Sequence, residues 1–427
     1  MTVRRPFACT IAGLSLIALH AGARADSDKD WDRDRDRDKD RTTTVDCAAG
    51  ETIAKALTRG DERKSLTILI KGSCSEHVVI NRSDIKLAAA APGATISGPD
   101  ATIDVIRVTG SRVTIDGITV TGGRNGVTAD GAPGLIVQNA FVQNTGRNGI
   151  TYAHGASGVV DSTLVTGNAR DGVAIDAASG TVIKSQISKN GRMGVGVFTG
   201  GSARIGVDNF NNAVDTGNII SANASNGIHI VFSSSALIAM NQVIGNGTST
   251  DSTVLKNGIN LGSASADLIG GNTISGNTGQ GVVLVRSTAT FGDPLFGIST
   301  VNTVSGNGNS AAQGGVFAFL GSSVTIRDGL ITDNVGFGVG LQLNSSAQIV
   351  STTIQNNVGV GLGTGDGIRL IFGSSLLAAT PAGSITGNTG FGLNCTDGES
   401  SVINTGSLGI LLGSNLLGSV SPTCTGF

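Results

Sequence analysis

A glycine that is followed at once by an aliphatic residue recurs along most of the chain. Successive glycines lie about 23 residues apart, with intervals of about 30 where extra residues are inserted. One repeat of this length cannot bury an apolar face alone, so neighbouring repeats must stack around a continuous core. The pattern therefore predicts a solenoid. Its glycine column comprises Gly126, Gly149, Gly172, Gly194, Gly227, Gly258, Gly281, Gly315, Gly338, Gly367 and Gly392.

Each of these glycines opens a segment with period-two alternation. The next residue is aliphatic in all eleven repeats, and the residue two places further on is mostly apolar, as in Val173 and Ile175. Such alternation is typical of a strand with one buried face. We therefore expect Val173, Val195 and Ile228 to stack directly above one another in a dry interior. The only tyrosine, Tyr152, falls in a buried position of the same strand.

An asparagine column precedes the glycines, and each of its members follows an apolar residue three places earlier. We predict a second buried strand that ends at an asparagine corner, because asparagine tolerates the left-handed backbone and bonds locally to its own chain. Stacked at one corner, these side chains are also expected to form an amide ladder. The column comprises Asn144, Asn168, Asn190, Asn223, Asn246, Asn277, Asn307, Asn334, Asn357 and Asn388.

The period, the two corner columns and the short strands resemble the right-handed parallel β-helix of the pectate-lyase-like superfamily, in its exported bacterial form. The resemblance covers the chain from about Val45 to the C-terminus. It implies an all-β, right-handed solenoid of about 12–13 coils, and the handedness comes from the resemblance alone. An N-terminal capping helix is predicted over residues 51–58, because Ile53 and Leu57 fall on one helical face and Gly60 follows as a stop. A leucine-rich repeat would need a Leu-x-x-Leu-x-Leu frame, which is absent.

Residues 1–25 have the features of a secretory signal peptide. Arg4 and Arg5 precede an apolar run over residues 7–19, and Ala23-Arg24-Ala25 is a small-x-small cleavage site. No later stretch reaches 18 apolar residues, so we expect no transmembrane segment. The full chain has a formal charge of −2, which disfavours nucleic acid as a partner. We expect a secreted protein, periplasmic or extracellular.

Residues 26–44 form a charged leader in which aspartate alternates with arginine and lysine. Alternating charges do not support a helix, so this segment is predicted to be a disordered linker. A calcium loop is the alternative, but the loop glycine and the final glutamate are missing. The β-helix domain is then expected to span residues 45–427, with an N-terminal cap over 45–75 and a C-terminal cap over about 396–427.

Four cysteines remain outside the signal peptide. In an exported chain an even number predicts disulfides. We expect Cys47 to pair with Cys74 and Cys395 with Cys424, because each pair closes a loop of fewer than thirty residues at one end of the chain. A zinc site would need CxxC spacing or nearby histidines. We therefore expect no metal and no cofactor.

The resemblance implies that ligands bind on the outer face of one parallel sheet. The outward residues lie two and four places after each glycine, and they change from polar to apolar along the chain. Candidates for catalysis are Asp130, Asp176 and His229 in the polar half. Inserted residues border the apolar half, and they either build a binding surface or merely cover it. Candidates for binding are Asn260, Phe198, Phe317, Phe319 and Arg369.

Hydrolysis of a polysaccharide needs two suitably spaced carboxylates. Asp130 and Asp176 lie two coils apart, or roughly 10 Å. The adjacent Asp-Asp, the Gly-His-Gly and the Arg-x-Lys of pectin hydrolases are missing from the repeats. None of His77, His154 and His229 is predicted to lie within hydrogen-bond reach of a carboxylate, serine or cysteine motif.

The sequence therefore favours a non-catalytic exported protein. We expect a monomer that binds a polysaccharide or a cell-surface protein through the outer face of one sheet. The alternative is a polysaccharide lyase or glycoside hydrolase that acts on acidic glycans.

Overall fold

The computed structural model describes residues 41–59, 64–208, 216–292, 301–361, 364–379, 383–404 and 410–424. These residues wind into three parallel sheets, and each coil adds one strand to each sheet in turn. The predicted signal peptide lies outside the described residues, as does most of the charged leader. Among the described residues, no helix has the length and apolar character needed to cross a membrane.

Sheets 1, 2 and 3 are named in the order in which the chain visits them. The strands of sheet 1 are Arg41–Asp46, Leu66–Lys71, Ile85–Ala89, Val113–Asp116, Pro133–Gln138, Ser157–Asp161, Ser179–Ile183, Ser202–Ile205, Ser235–Ala239, Ser265–Gly270, Thr288–Phe291, Ser323–Arg327, Ser346–Val350, Ser375–Ala379 and Ser401–Asn404. The strands of sheet 2 are Ser73–Ser75, Thr95–Gly98, Thr119–Gly122, Phe141–Gln143, Leu164–Thr166, Gln186–Ser188, Ile219–Ser221, Gln242–Ile244, Thr273–Ser275, Thr303–Ser305, Leu330–Thr332, Thr353–Gln355, Gly383–Thr386 and Ile410–Leu412. The strands of sheet 3 are Val78–Ile80, Ile106–Val108, Val127–Asp130, Ile150–Ala153, Val173–Asp176, Val195–Phe198, Ile228–Val231, Ile259–Gly262, Val282–Val285, Gly314–Phe319, Phe337–Gln342, Ile368–Ile371, Phe391–Cys395 and Gly418–Val420.

The predicted all-β parallel solenoid is confirmed. The strands after the glycines form sheet 3, and the strands before the asparagines form sheet 2. Sheet 1 is a third strand per coil that neither column revealed. In the described residues, sheet 1 has 15 strands and the other sheets have 14 each, slightly more than the predicted 12–13 coils. Parallel pairing also continues past residue 396, to Gly418–Val420.

The interior is a stack of aliphatic side chains at equivalent positions. Val173 pairs with Val195, which pairs with Ile228, and all three are fully buried. Tyr152 is the largest of the fully buried side chains, and its hydroxyl donates to the carbonyl oxygen of Leu135 over 3.3 Å. Burial raises the pKa of this phenol well above its ordinary value. The predicted dry core is therefore present, and its one tyrosine is a packing residue.

The predicted amide ladder runs from Asn168 to Asn415 at the corner after sheet 2. Each Nδ2 donates to Oδ1 of the next coil over 2.8–3.1 Å. The prediction was wrong for Asn144, which is exposed. Thr145 takes that position in the ladder instead, and its hydroxyl donates to Oδ1 of Asn168. Thr145 lies four residues before its glycine, as Asn168 does, whereas Asn144 lies five before. A satisfied buried hydrogen bond contributes about 1 kcal/mol, so the ladder is a substantial stabilising element.

Both ends of the described solenoid carry the predicted disulfides, Cys47–Cys74 and Cys395–Cys424. A short 3-10 turn, Cys47–Ala49, leads into a capping helix, Ile53–Leu57. The helix begins where the hydroxyl of Thr52 accepts from the amide of Lys55, and it buries Ile53, Ala56 and Leu57. The first strand starts at Arg41, inside the segment 26–44 that was predicted to be a linker. Gly60, the predicted helix stop, lies outside the described residues.

Candidate functional site

A polar groove of about 720 Å³ runs along the outer face of sheet 3 in its N-terminal half. It crosses the strands from Ile106–Val108 to Ile228–Val231, and period-two alternation aims every second side chain of these strands outward. The residues that carry its chemistry are Arg107, Arg124, Arg147, Arg170, Arg192, Asp104, Asp130, Asp171, Asp176, His154, Phe198 and Phe232. The groove therefore contains Asp130, Asp176 and Phe198 of the predicted site residues.

A row of arginines forms one wall of the groove. Arg124, Arg147, Arg170 and Arg192 each lie two residues before a column glycine, in four successive coils. Main-chain hydrogen bonds hold these corners in register from coil to coil. The amide of Arg170 donates to the carbonyl oxygen of Arg147 over 2.8 Å, and the amide of Arg192 donates to the carbonyl oxygen of Arg170 over 2.9 Å. Sequence reasoning missed this row. Arginine at the same offset in four consecutive repeats was the available signal.

A second column lies beside the arginines, one residue before the glycines and, in the first of its coils, one residue before Val105. We call Asp104, Asn125, Asn148 and Asp171 the corner column, and all four are buried. The Oδ1 atom of each accepts a hydrogen bond from a main-chain amide of the next coil. The donors are the main-chain amides of Asn125, Asn148, Asp171 and Met193. Their N···Oδ1 distances to Asp104, Asn125, Asn148 and Asp171 are 3.2, 3.1, 3.3 and 3.3 Å, respectively.

The two aspartates of the corner column also neutralise the two outer arginines. Asp104 pairs with Arg124 at 2.8 Å, and Asp171 pairs with Arg192 at 2.5 Å. Burial alone would raise the pKa of Asp104, but hydrogen bonds from Arg124 and Thr128 outweigh it and lower that pKa. Asp104 is therefore held ionised, and both carboxylates are structural partners of an arginine.

The two inner arginines have no such partner. Within the described part of the chain, neither Arg147 nor Arg170 has an ion pair or a side-chain hydrogen bond. Burial, followed by the positive charges of Arg192 and Arg147, lowers the pKa of Arg170. The middle of the groove thus presents two uncompensated positive charges.

His154 lies against Asp130, contrary to the prediction that no histidine reaches a carboxylate. Its Nδ1 atom is 2.7 Å from Oδ1 of Asp130, whose other oxygen lies 2.5 Å from Nη2 of Arg107. The parallel register pairs Asp130 with Ala153, which brings the following corner residue close to the carboxylate. Hydrogen bonds from His154 and Arg107 lower the pKa of Asp130.

Aromatic side chains close the other end of the groove. Asp176 pairs in register with Phe198, and the Arg192 guanidinium lies 5.7 Å from the centre of the Phe198 ring. Phe232, which sequence reasoning missed, is 67% exposed beside them. Its φ of +59° is unusual for a bulky residue, so its ring is held outward at a conformational cost. Asp176 is exposed and has no hydrogen-bond partner among the described residues.

His229 and Asn260 occupy the predicted sheet but are buried. Nδ1 of His229 lies 3.0 Å from Nδ2 of Asn226 and 3.2 Å from Nδ2 of Asn260, so it accepts from both amides. The ring is 9% exposed and packs 6.0 Å from the Phe198 ring. Burial, then the charge of Arg192, lowers the pKa of His229 to about 4. In this structure the side chain is a neutral packing element next to the groove.

The apolar half of the face is partly covered. Phe317 packs against Phe319 and against the buried Phe337, with ring centres 5.8 and 5.6 Å apart. Arg369 pairs with the fully buried Asp366 at 2.6 Å. Its other nitrogens donate to the carbonyl oxygens of Ala311 and Thr364, which lie in two inserted segments. The guanidinium therefore fastens the insertions over the aromatic cluster.

The donor groups of the described residues form no metal site. No cluster of three histidine, cysteine, aspartate or glutamate side chains is arranged to hold an ion there.

Comparison with known proteins supports the fold. A family model described as a right-handed beta helix region matches residues 68–212. The chain is a right-handed parallel β-helix. Among curated proteins, none matches its sequence.

Several solved structures are similar to this β-helix at low identity. The periplasmic alginate epimerase AlgG is 14% identical over 90% of this chain and 84% of its own, with a TM-score of 0.43. The A-module of the mannuronan C-5 epimerase AlgE6 of Azotobacter vinelandii is 15% identical over 88% and 92%, with a TM-score of 0.38. The catalytic domain of a GH87 alpha-1,3-glucanase is 10% identical over 94% and 69%, with a TM-score of 0.43.

Proposed function

We propose that this β-helix is an exported glycan-binding protein whose ligand lies along the groove of sheet 3. The observation that carries the proposal is the composition of the groove: hydrogen-bonding and charged side chains along its length, and an exposed aromatic ring, Phe232, at one end. Sugars present hydroxyl groups at their edges and C–H groups on their faces. Polar side chains beside an aromatic ring match both surfaces.

The shape of the groove favours a linear chain over a small molecule. It extends across six strands of sheet 3, which is roughly 24 Å at the usual strand spacing. The two disulfides support export, since such bonds persist in oxidising compartments. The polar half of the face is also the open half, which favours a glycan over the protein partner considered for Phe317 and Phe319.

Hydrolysis is disfavoured because three of the four aspartates that line the groove are ion-paired with arginine. A glycoside hydrolase needs one carboxyl group with a raised pKa as general acid. The pKa values of Asp104 and Asp130 are lowered instead, and Asp171 is ion-paired. Asp176 alone does not supply the required pair.

The test is a glycan array followed by titration calorimetry, with Phe232→Ala as the diagnostic variant. We expect Phe232→Ala to weaken glycan binding about tenfold, since a stacked ring contributes about 1 kcal/mol or more. Phe372→Ala is the matched control: Phe372 has the same backbone conformation at an equivalent turn, is 53% exposed and lies outside the groove. Equal effects of the two variants, or no binding on a broad array, would refute the proposal.

A second candidate function, a uronate lyase, rests on the pair of His154 and Asp130. A histidine oriented by a carboxylate is suited to remove the proton next to a uronate carboxylate, while a guanidinium neutralises that carboxylate. His154 takes the proton, the electron pair of the broken C–H bond forms the C=C bond, and the glycosidic C–O bond breaks with its electron pair on the leaving oxygen, which takes a proton from water. Prolonged incubation with alginate, pectate and hyaluronan would then release unsaturated uronates, detected by ultraviolet absorbance. His154→Ala abolishes this release in a lyase and leaves affinity nearly unchanged in a binding protein.

A further inference from the structure

The corner column determines which arginines of the groove carry a free charge. Asp104 lies beside Arg124 of the next coil, and Asp171 lies beside Arg192 of the next coil, each as an ion pair. The two coils between them have asparagine at this position. As a result, Arg147 follows Asn125 and Arg170 follows Asn148, and neither guanidinium group forms an ion pair among the described residues.

The fold does not require asparagine at these two positions. The Oδ1 atom accepts the same main-chain hydrogen bond whether the residue is Asn or Asp. The remaining nitrogen of Asn125 donates to Thr128 over 3.3 Å, and that of Asn148 donates to Thr151 over 3.2 Å. A threonine hydroxyl donates equally well to a carboxylate. An aspartate at either position would therefore satisfy the corner and neutralise the next arginine.

Arg170 sits in an unfavourable environment without a ligand, and the exposed Arg147 lies beside it. They belong to adjacent coils, which are roughly 4.8 Å apart in the main chain. The pKa of Arg170 is lowered by burial and by its arginine neighbours, which shows that its charge is destabilised there. An anion placed between the two groups would relieve this repulsion and form charge-assisted hydrogen bonds with both.

We propose that Arg147 and Arg170 form a two-point oxyanion site, and that Asn125 and Asn148 are the residues that keep this site open. The ligand is then a linear glycan that carries carboxylate or sulfate groups, with two of them within reach of adjacent coils. The glycan part of this inference rests on the proposed function. The oxyanion site itself depends only on the corner column and the arginine row.

The decisive experiment closes the site without removing an arginine. In the double variant Asn125→Asp/Asn148→Asp, affinity for an acidic oligosaccharide is expected to fall about 100-fold, as two charge-assisted contacts are replaced by internal ion pairs. The melting temperature should stay the same or rise. The double variant Arg147→Gln/Arg170→Gln should lose the same affinity, because it removes the two positive charges instead of neutralising them. Asn257→Asp is the control, since Asn257 makes the same main-chain bond outside the groove and the next coil has Gly279 at the arginine position.

The probes are a polyuronate oligosaccharide, a sulfated oligosaccharide, a neutral oligosaccharide and inorganic sulfate. The proposal is supported if one of the acidic oligosaccharides binds more strongly than the neutral one and both double variants weaken that binding. The oligosaccharide that binds then identifies the anion. Binding of the neutral chain alone overturns the oxyanion site but keeps the glycan function. Binding of sulfate that both double variants abolish, with no glycan bound, keeps the oxyanion site and refutes the glycan function. If the double variant Asn125→Asp/Asn148→Asp is folded and its affinity for the acidic oligosaccharides is unchanged, the inference is overturned.

Discussion

Oδ2 of Asp171 lies 2.5 Å from Nη2 of Arg192, and the aspartate side chain is only 1% exposed. This pair fixes one end of the arginine row, because it turns a groove cation into a neutral structural unit. The same arrangement joins Asp104 and Arg124 at the other end of the row. The free positive charge of the groove is therefore confined to the two coils between these pairs.

The Asp171 carboxylate can be removed with little change in shape. In Asp171→Asn, Oδ1 still accepts from the amide of Met193, but Arg192 loses its counter-charge. We expect affinity for an acidic oligosaccharide to increase about tenfold, the value of one additional charge-assisted contact. Titration calorimetry at two salt concentrations measures this, since the gain should shrink as salt screens the groove. An unchanged affinity would contradict the assignment of Arg192 to the groove.

The amide ladder gives a prediction about stability. Asn223 is fully buried, donates to Asn246 over 2.9 Å and accepts from Asn190 over 2.9 Å. In Asn223→Ala the main-chain amide of Asn190 and one N–H of its side chain lose their acceptor, and we expect a loss of about 3 kcal/mol in the free energy of unfolding. Asn144→Gly is the control, because Asn144 is exposed, has a φ of +53° and stands outside the ladder. Denaturant unfolding should show a much smaller change for the control.

Phe232 is predicted to trade stability for binding. Its φ of +59° lies in the left-handed region, which asparagine adopts more readily than phenylalanine. Phe232→Asn should therefore raise the free energy of unfolding by about 1 kcal/mol while glycan affinity falls. Thermal unfolding and calorimetry on the same preparation measure the two effects. A variant that loses stability would show that the ring is a packing residue.

His229 gives the fold a specific pH dependence. Its folded pKa of about 4 is below the ordinary value of 6.5, so the native state holds the neutral ring. The unfolded chain takes up a proton first, and stability is therefore fully present above pH 6.5 and falls progressively as the pH drops towards 4. The total loss is about 3 kcal/mol. Urea unfolding between these pH values should show this slope, and His229→Gln should flatten it.

Much of the fold was predictable because the repeat imposes the same demands on every coil. Val173 and Val195 fall at the same offset from their glycines, and equivalent offsets become stacked positions in a parallel register. The error at Asn144 has a simple cause: the ladder residue lies three places after the buried residue of the preceding strand. That residue is Val142 and not the exposed Phe141, so the ladder position is Thr145. The disulfide pairs were predictable from loop length alone.

The candidate site was predicted less completely. Alternation placed Asp130 and Asp176 on the outer face of sheet 3, where both line the groove. It also predicted an exposed His229, but that ring is buried. The corner residues on either side of the sheet 3 strands were overlooked, since alternation describes strands and says nothing of side chains in turns. Arg147 and His154 both lie in corners, and both line the groove.

The sequence by itself determined the stacking order, the identity of the core columns and most of the side chains that face outward on sheet 3, because these follow from a period that is written in every repeat. Only the tertiary structure decided which charges on that face are free. Arg170 and Asn148 are 22 residues apart in the chain and meet only when two coils stack. Whether a groove arginine is neutralised is therefore a property of contacts between coils, which no single repeat contains.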